Sequence, residues 1–182
     1  MDSGPHRLEA ALKKGIPYVS RERSRTSIRP RMLGLELVVH TDCISFYQII
    51  SCGALDMCNW GPKNTVPEKY QDRKLYEHNP TVTLMRTNEE ESKAIGRFMV
   101  DKIQSHTKDK SKVQVILPLG GVSIIATPGA PFHDDAADDA LFSELRSGLA
   151  DSGVTMIEDK RAINDEGFAT DVAKRLVSIM GL

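Results

Sequence analysis

Long apolar runs, a set of cysteines that could all pair, and a strong charge of one sign are missing from this 182-residue sequence. There is no apolar run of about 18 residues, so we expect no transmembrane helix. The first 15 residues, MDSGPHRLEAALKKG, lack the apolar core of a secretory signal peptide. The formal net charge of −1 argues against a general affinity for nucleic acid or membranes. These absences indicate a cytoplasmic protein.

Cysteine is scarce: Cys43, Cys52 and Cys58 are the three in the sequence, and three thiols cannot all pair within one chain. Free thiols in a reducing compartment are the simplest interpretation. The spacing of Cys52 and Cys58 does not fit a C-x-x-C site, so we expect no metal there. Cys58 and His78 could form a nucleophile pair, but nothing in the sequence orders their geometry.

An arginine-rich stretch departs from the otherwise balanced charge. Residues 20–31, SRERSRTSIRPR, contain five arginines and a single apolar residue. This composition predicts a solvated loop rather than a packed strand. The alternative is a basic arm that binds RNA, but the aromatic residues that would stack on bases are absent. Nucleic acid is therefore not an expected partner.

Beyond residue 50, apolar strands alternate with amphipathic helices, which predicts parallel βαβ units. VQVILPL is apolar almost throughout, as suits a strand covered on both faces. TNEEESKAIGRFMVDKIQSH predicts a helix with a Thr87–Glu90 capping box. DDAADDALFSELRSGLA and EGFATDVAKRLVSIM predict two more helices, the last with Asn164 as its N-cap. The residues expected to face the core are Ile95, Phe98, Met99 and Ile103 on the first helix and Ala137, Leu141, Leu145 and Leu149 on the second.

Three loops are predicted to leave strands at the carboxyl edge of the sheet, where open α/β sheets bind ligands. They span residues 53–61, 79–86 and 120–132. Gly120 and Gly121 could offer backbone N–H groups, Ser123 a hydroxyl, and Arg86 a fork for a carboxylate or phosphate. The alternative is that the glycines only form turns and Arg86 forms a surface ion pair. The candidate ligand-binding residues are Gly53, Asp56, Asn59, Gly61, His78, Asn79, Arg86, Gly120, Gly121, Ser123 and Gly129.

Known catalytic and phosphate-binding patterns do not fit these loops. The glycine pair after VQVILPL matches neither G-x-G-x-x-G nor G-x-x-x-x-G-K-[ST], and Ser123 does not lie in a G-x-S-x-G elbow. HDDAADDA, residues 133–140, resembles a metal cluster at first sight. Its carboxylates fall in the first turns of a predicted helix, where capping is the default interpretation. The sequence alone therefore assigns no catalytic residue and no metal site.

Several segments resemble one protein family at specific separations. They include GALDM (residues 53–57), HNP and VTLMRT around residue 80, and GVS followed by PGAPF (residues 121–132). These resemble the C-terminal domain of the family typified by the tomato mosaic virus resistance protein. The resemblance implies two Rossmann-like domains facing a cleft, and ATP binding and inhibition of a viral replication protein in the plant member. It also implies a TIM-barrel partner, to which this domain is often joined in plants and fungi.

The resemblance defines the expected fold and boundaries. We expect residues 1–182 to form one partial C-terminal domain, an incomplete three-layer α/β/α Rossmann-like domain with a mostly parallel sheet. Residues 20–50 interrupt the family pattern and are expected to be a loop or poorly ordered insert, either a real insertion or translated intron sequence. An N-terminal domain is expected to be missing, and the sheet that this exposes would favour self-association.

The expected function is a fragment of a nucleotide-binding two-domain protein whose cleft loops face a phosphate-bearing ligand. ATP is the possible cofactor of the full-length family protein and is not expected to bind tightly to this chain. The alternative is a protein-interaction module, either inhibitor-like or a partner of a TIM-barrel enzyme. Ala126 stands where family members usually carry Asp, which weakens a catalytic or ribose-binding role for its loop.

Overall fold

A computed structural model of the protein describes residues 47–182 and the backbone of residues 19–21. Seven strands and three α-helices lie in this described part. The strands are β1 (Val19–Arg21), β2 (Gln48–Gly53), β3 (Met57–Trp60), β4 (Leu75–Asn79), β5 (Val82–Arg86), β6 (Val113–Pro118) and β7 (Thr155–Asp159). The helices are α1 (Glu89–His106), α2 (Asp135–Leu149) and α3 (Phe168–Ile179).

The main sheet is parallel, with strand order β1-β2-β6-β7. The α/β fold with a parallel sheet predicted from the sequence is therefore confirmed. Ile50 pairs with Val115 in the centre of this sheet, and Val115 pairs with Met156 of β7. Because side chains alternate along a strand, consecutive apolar residues such as Ile49 and Ile50 of β2, and Ile116 and Leu117 of β6, face opposite sides of the sheet.

Each face of the sheet carries its own core. On one face, Ile50, Val115 and Leu117 pack with buried residues of α1 and α2. On the other face, Ile49 and Ile116 pack with Phe168 and Val172 of α3. Ile163, in the segment before α3, belongs to the same core. The sheet thus lies between two helical layers.

The helix faces follow the predicted periodicity with one exception. The four inward residues predicted on α2 are all buried, and Met99 and Ile103 of α1 are buried as well. Phe98 is 47% exposed, so its predicted place in the core is wrong. Gly96 is buried instead and packs closely against α2, since a Cβ on Gly96 would lie 2.7 Å from the Glu144 Cβ. The Phe98 ring has the Lys102 ammonium 5.2 Å from its centre.

Two predicted N-caps are wrong, by one residue for α1 and by three residues for α3. The capping box of α1 is formed by Asn88 and Glu91, not Thr87 and Glu90. Thr87 is held by the preceding loop, since its N–H donates to the Asp56 carbonyl and its hydroxyl to the Leu55 carbonyl. The last helix begins after Gly167, which has a φ of 82°, and not at Asn164.

A second, antiparallel sheet with order β3-β5-β4 was not predicted. The segments 53–61 and 79–86, predicted as loops, contain β3 and β5. The hairpin turn between β4 and β5 is closed by Asn79, whose Oδ1 accepts hydrogen bonds from the Thr81 N–H and hydroxyl. This sheet connects the carboxyl end of β2 to the start of α1.

The predicted boundary of the 20–50 insert is wrong at its carboxyl end. Residues 48–50 lie in β2, in register with β6, and Ile49 and Ile50 are fully buried. Ser20 and Arg21 lie in β1. Residues 22–46 lie outside the described residues, and the rest of the expectation stays a prediction.

Among the helices of the described chain, α1 to α3, none is both long enough and apolar enough to cross a membrane.

Candidate functional site

The segments that follow β2 and β6 meet at the carboxyl edge of the main sheet. The Ala54 N–H donates to the Val122 carbonyl at 2.7 Å, and the Ser123 hydroxyl donates to Asp56 Oδ2 at 2.7 Å. Arg86, the last residue of β5, reaches the same place from the second sheet. We call Asp56, Arg86, Ser123 and Asp138 the edge cluster.

Arg86 joins the elements around the edge cluster, and its side chain is only 3% exposed. Its Nε donates to the Phe132 carbonyl at 2.8 Å, and its Nη2 lies 2.6 Å from Asp138 Oδ1 on α2. Its Nη1 donates to the Thr87 hydroxyl at 3.1 Å. The guanidinium is thus occupied by protein groups and holds the 120–134 segment against the start of α1. The predicted fork for phosphate is engaged inside the protein.

Asp56 is the most unusual member of the edge cluster. It is 1% exposed, and its Oδ1 has no hydrogen-bond partner in the part of the chain that the structure describes. Burial raises the pKa of the Asp56 carboxyl, and the hydrogen bond from Ser123 and the charge of Arg86 oppose this shift only in part. Ala54, two residues earlier, has a φ of 55°, a left-handed conformation that costs a non-glycine residue about 1–2 kcal/mol.

Asp138 and Cys52 complete the electrostatic environment. Burial raises the pKa of the Asp138 carboxyl, opposed by its ion pair with Arg86. Burial also raises the pKa of the Cys52 thiol to about 12, with a contribution from Asp138. Cys52 is therefore a neutral core residue and not a nucleophile. Cys58 lies on β3 and is exposed. Among the described residues, the structure shows no contact between Cys58 and His78.

The raised pKa of Asp56 predicts how stability depends on pH. The folded protein holds the Asp56 proton to higher pH than the unfolded chain, so ionisation of Asp56 lowers stability as pH rises above 3.8. Asp56→Asn removes this effect while Arg86 and Asp138 remain. We expect the free energy of unfolding of Asp56→Asn, relative to wild type, to increase as pH rises from 3.8 toward neutral in urea titrations.

Asp159 supplies a control with the opposite sign. Its hydrogen bonds from Arg161 lower the pKa of its carboxyl, so its contribution to stability is present above 3.8 and is lost as pH falls. Asp159→Asn should therefore become less destabilising on acidification. A pH slope of the same sign for Asp56→Asn and Asp159→Asn would contradict the assignment of Asp56.

The glycine pair after β6 serves packing more than ligand contact. A Cβ on Gly120 would lie 2.5 Å from the Ala162 nitrogen, so only glycine fits there. The Gly120 N–H donates to the Arg161 carbonyl, and the Gly121 N–H to the Pro118 carbonyl. The N–H groups that the sequence offered to a ligand are thus engaged internally. Gly129, with a φ of 82°, has open space around it.

Each of the three predicted loops contributes one residue to the edge cluster, but the far end of the 79–86 segment lies away from it. His78 and Asn79 are exposed at the tip of the β4–β5 hairpin, four residues along β5 from Arg86, or about 13 Å. Asn59 pairs with Leu84 and therefore lies on the same sheet face as Arg86.

Three further residues predicted to bind a ligand are paired or hydrogen-bonded within the protein. Gly61 accepts a hydrogen bond from the Thr83 N–H through its carbonyl. Gly53 pairs with Arg21 at the end of β1. Ser123 joins the edge cluster, with its hydroxyl already bonded to Asp56.

Sequence reasoning missed Asp138 as a member of the edge cluster. Capping holds for Asp134, whose Oδ1 accepts from the Ala137 N–H. Asp138 turns instead to Arg86. Its position three residues before the buried Leu141 was the one available signal. Within residues 47–182 no group of three or more His, Cys, Asp and Glu side chains is arranged to hold a metal ion.

Comparisons with known proteins agree with the resemblance predicted from the motifs. Residues 46–180 match the model of the uncharacterised protein family (UPF0261) C-terminal domain. A UPF0261 protein of Clostridium tetani is 37% identical over 180 residues, which cover 99% of this chain. The ToMV resistance protein Tm-1 of Solanum lycopersicum is 39% identical over 132 residues, or 72% of this chain. A UPF0261 protein of Rhizobium meliloti is 44% identical over 120 residues.

The matched region is a minor part of each relative. It covers 36% of the Clostridium tetani protein, 17% of the tomato protein and 29% of the Rhizobium meliloti protein. The chain therefore spans about a third or less of the length of these relatives.

Proposed function

The chain belongs to the uncharacterised UPF0261 family through its C-terminal domain, and we propose that this domain forms one wall of a cleft that binds a phosphate-bearing nucleotide. ATP is the nucleotide that the motif resemblance favours. In this proposal the opposite wall belongs to an N-terminal domain, and the cytoplasm is the site of action. No reaction is assigned to the cleft.

One observation carries the proposal: two segments at the carboxyl ends of adjacent parallel strands are tied together before any ligand arrives. The Ala54–Val122 and Ser123–Asp56 hydrogen bonds join them. Arg86 holds the carboxyl end of the 120–132 segment by donating a hydrogen bond to the Phe132 carbonyl. Ligands of open α/β sheets bind in this position. A preformed edge lowers the entropic cost of binding.

The ligand-facing surface is the exposed middle of the 120–132 segment. Ile124 is 69% exposed, and Gly129 leaves open space for close approach of a ligand to the backbone. Lys74 borders the segment, with its Nζ 3.1 Å from the His133 carbonyl, and is exposed. We assign the phosphate charge to Lys74, since Arg86 is already paired.

The second candidate function is a protein-interaction module, and the exposure of Ile124 and Leu119 on this same edge favours it. The partner would be a TIM-barrel protein, an inhibited target protein or a second copy of the chain. A protein-binding surface would present an exposed apolar side chain such as Ile124, whereas a phosphate site would not require one.

A charge series at Ile124 separates the two functions. In NMR titrations of ATP at low salt, we expect a Kd near or above about 1 mM, or about −4 kcal/mol. Ile124→Lys should tighten ATP binding about two- to fivefold and Ile124→Glu should weaken it by a similar factor, because an exposed charge contributes up to about 1 kcal/mol.

Val177, an exposed residue of α3, gives the matched control. Val177→Lys and Val177→Glu should leave ATP affinity unchanged. Equal effects of the Ile124 and Val177 substitutions would contradict the proposed nucleotide site. Loss of binding to a partner protein by both Ile124 variants, with no change toward ATP, would instead support the interaction module.

A further inference from the structure

The edge cluster contains an acceptor for which the described protein supplies no donor. Asp56 Oδ2 accepts from the Ser123 hydroxyl, while Oδ1 is buried without a partner among residues 47–182. Burying an unsatisfied carboxylate oxygen costs free energy, and such groups in native proteins call for an explanation. Asp56 lies three residues after the end of β2, at the carboxyl edge of the main sheet, where ligands of open α/β sheets approach.

The charges around Asp56 do not balance. Arg86 is the cation of the edge cluster, and its Nη2 is paired with Asp138 Oδ1 at 2.6 Å. Its Nη1 lies 3.5 Å from the Asp56 main-chain carbonyl. The cluster therefore carries one guanidinium and two carboxyl groups, and a ligand phosphate placed beside Asp56 would add a third negative group. A neutral donor would satisfy Oδ1 without adding charge.

We infer that Asp56 Oδ1 accepts a hydrogen bond from a hydroxyl group of the ligand's sugar, which rests on the proposed nucleotide function. This assignment orients the ligand: the sugar lies over the edge cluster, and the phosphates point away from Asp56 toward Lys74. Asp56 acts as a specificity-determining residue that selects a donor-bearing sugar.

The path to Asp56 is short. Ser123, whose hydroxyl donates to Asp56 Oδ2, is followed directly by Ile124, which is 69% exposed. Because Asp56 is 1% exposed, a ligand hydroxyl can reach Oδ1 only if this stretch of the 120–132 segment moves, and that movement is part of the proposal.

The test compares nucleotides that differ by one hydroxyl. ATP, 2′-deoxyATP, 3′-deoxyATP, adenosine and inorganic triphosphate are titrated into the wild-type chain by NMR. We expect one of the two deoxynucleotides to bind about tenfold more weakly than ATP, as for loss of a hydrogen bond to a charged group. Asp56→Asn should reduce this difference to within twofold, because a neutral amide is a weaker acceptor.

Asp135→Asn is the control, because Asp135 is an exposed carboxylate near the start of the same helix as Asp138. It should keep the tenfold difference. A measurement on the wild-type protein covers the case in which Asp56→Asn does not fold. The carboxyl carbon of Asp56, followed by NMR across pH, should show a lower pKa with ATP bound, and no change with triphosphate.

The outcomes separate this inference from the proposed function. If triphosphate and both deoxynucleotides bind with the same affinity as ATP, the phosphate-binding function stands and the role of Asp56 is overturned. If adenosine binds as tightly as ATP while one deoxynucleotide still binds about tenfold more weakly than ATP, the role of Asp56 stands and the phosphate site fails. If no nucleotide or adenosine binds, both are overturned.

Discussion

Replacing Arg86 with methionine is expected to lower the free energy of unfolding by about 3–5 kcal/mol. The guanidinium is 3% exposed and is paired with Asp138, so its loss leaves a carboxylate that is only 15% exposed without its counter-ion. The Phe132 carbonyl also loses its donor. Arg97→Met is the control, because Arg97 forms an exposed ion pair with Glu144 and should cost less than about 1 kcal/mol. Urea denaturation followed by circular dichroism measures both.

A double variant shows whether the unpaired charge is the cause. Arg86→Met combined with Asp138→Leu should be less destabilising than the sum of the two single changes, because the double change also removes the carboxylate that loses its counter-ion in Arg86→Met. Additive losses would show that the ion pair with Asp138 is not the cause, and that Arg86 stabilises the fold through its other contacts. A loss below about 1 kcal/mol for Arg86→Met would contradict its role as the link between the two sheets and α2.

Ile50→Ala is expected to cost about 2–5 kcal/mol. Ile50 is fully buried in the core under α1 and α2 and pairs with Val115 in the main sheet. The change removes three carbons from a site enclosed on all sides, and the surrounding strands cannot close the cavity. The measurement is again equilibrium unfolding in urea.

Ile124→Ala provides the matched control for Ile50, since it removes the same atoms from a side chain that is 69% exposed. It should change stability by no more than about 0.5 kcal/mol. If Ile50→Ala were equally mild, residues 48–50 would not belong to β2, and the insert would extend to residue 50 as the sequence first indicated.

The parts of the fold that the sequence predicted are those with a long, regular apolar pattern. The run in β6 and the four inward residues of α2 repeat often enough to specify strand and helix without knowledge of the partner element. The parallel sheet was predicted because apolar strands alternate with amphipathic helices along the chain. The α1 cap was placed one residue early because Thr87 and Asn88 are both good caps, and the choice depends on Leu55, 32 residues away.

The second sheet was missed because its strands are short and mixed in composition. The sequence of β3, MCNW, has no clear alternation, and Pro62 and Pro67 follow it closely. Antiparallel pairing between β3 and β5 satisfies the backbone N–H and C=O groups of both strands, and nothing in the local sequence of either strand predicts this pairing. This sheet carried His78 and Asn79 away from the predicted site and brought Arg86 into it.

The edge cluster could be predicted only in part. Asp56, Arg86 and Ser123 were identified as polar residues near strand ends, which was correct. Their burial was not foreseen, because an arginine is rarely buried unless paired and its partner Asp138 lies 52 residues along the chain. A contact of that kind is a property of the packed elements and has no local signature.

The most direct test of the account maps the binding of ATP on the chain itself. In ¹H–¹⁵N NMR spectra recorded during an ATP titration, we expect saturable shifts in amides of residues 53–56 and 120–132. We expect none at the opposite edge of the sheet, in residues 107–112 and 150–154, which serve as the internal reference. Shifts confined to the carboxyl edge, and weakened by Ile124→Glu, are what a nucleotide cleft at this edge predicts. Shifts centred on the opposite edge, or no saturable shift at about 10 mM ATP, roughly ten times a 1 mM Kd, would contradict it.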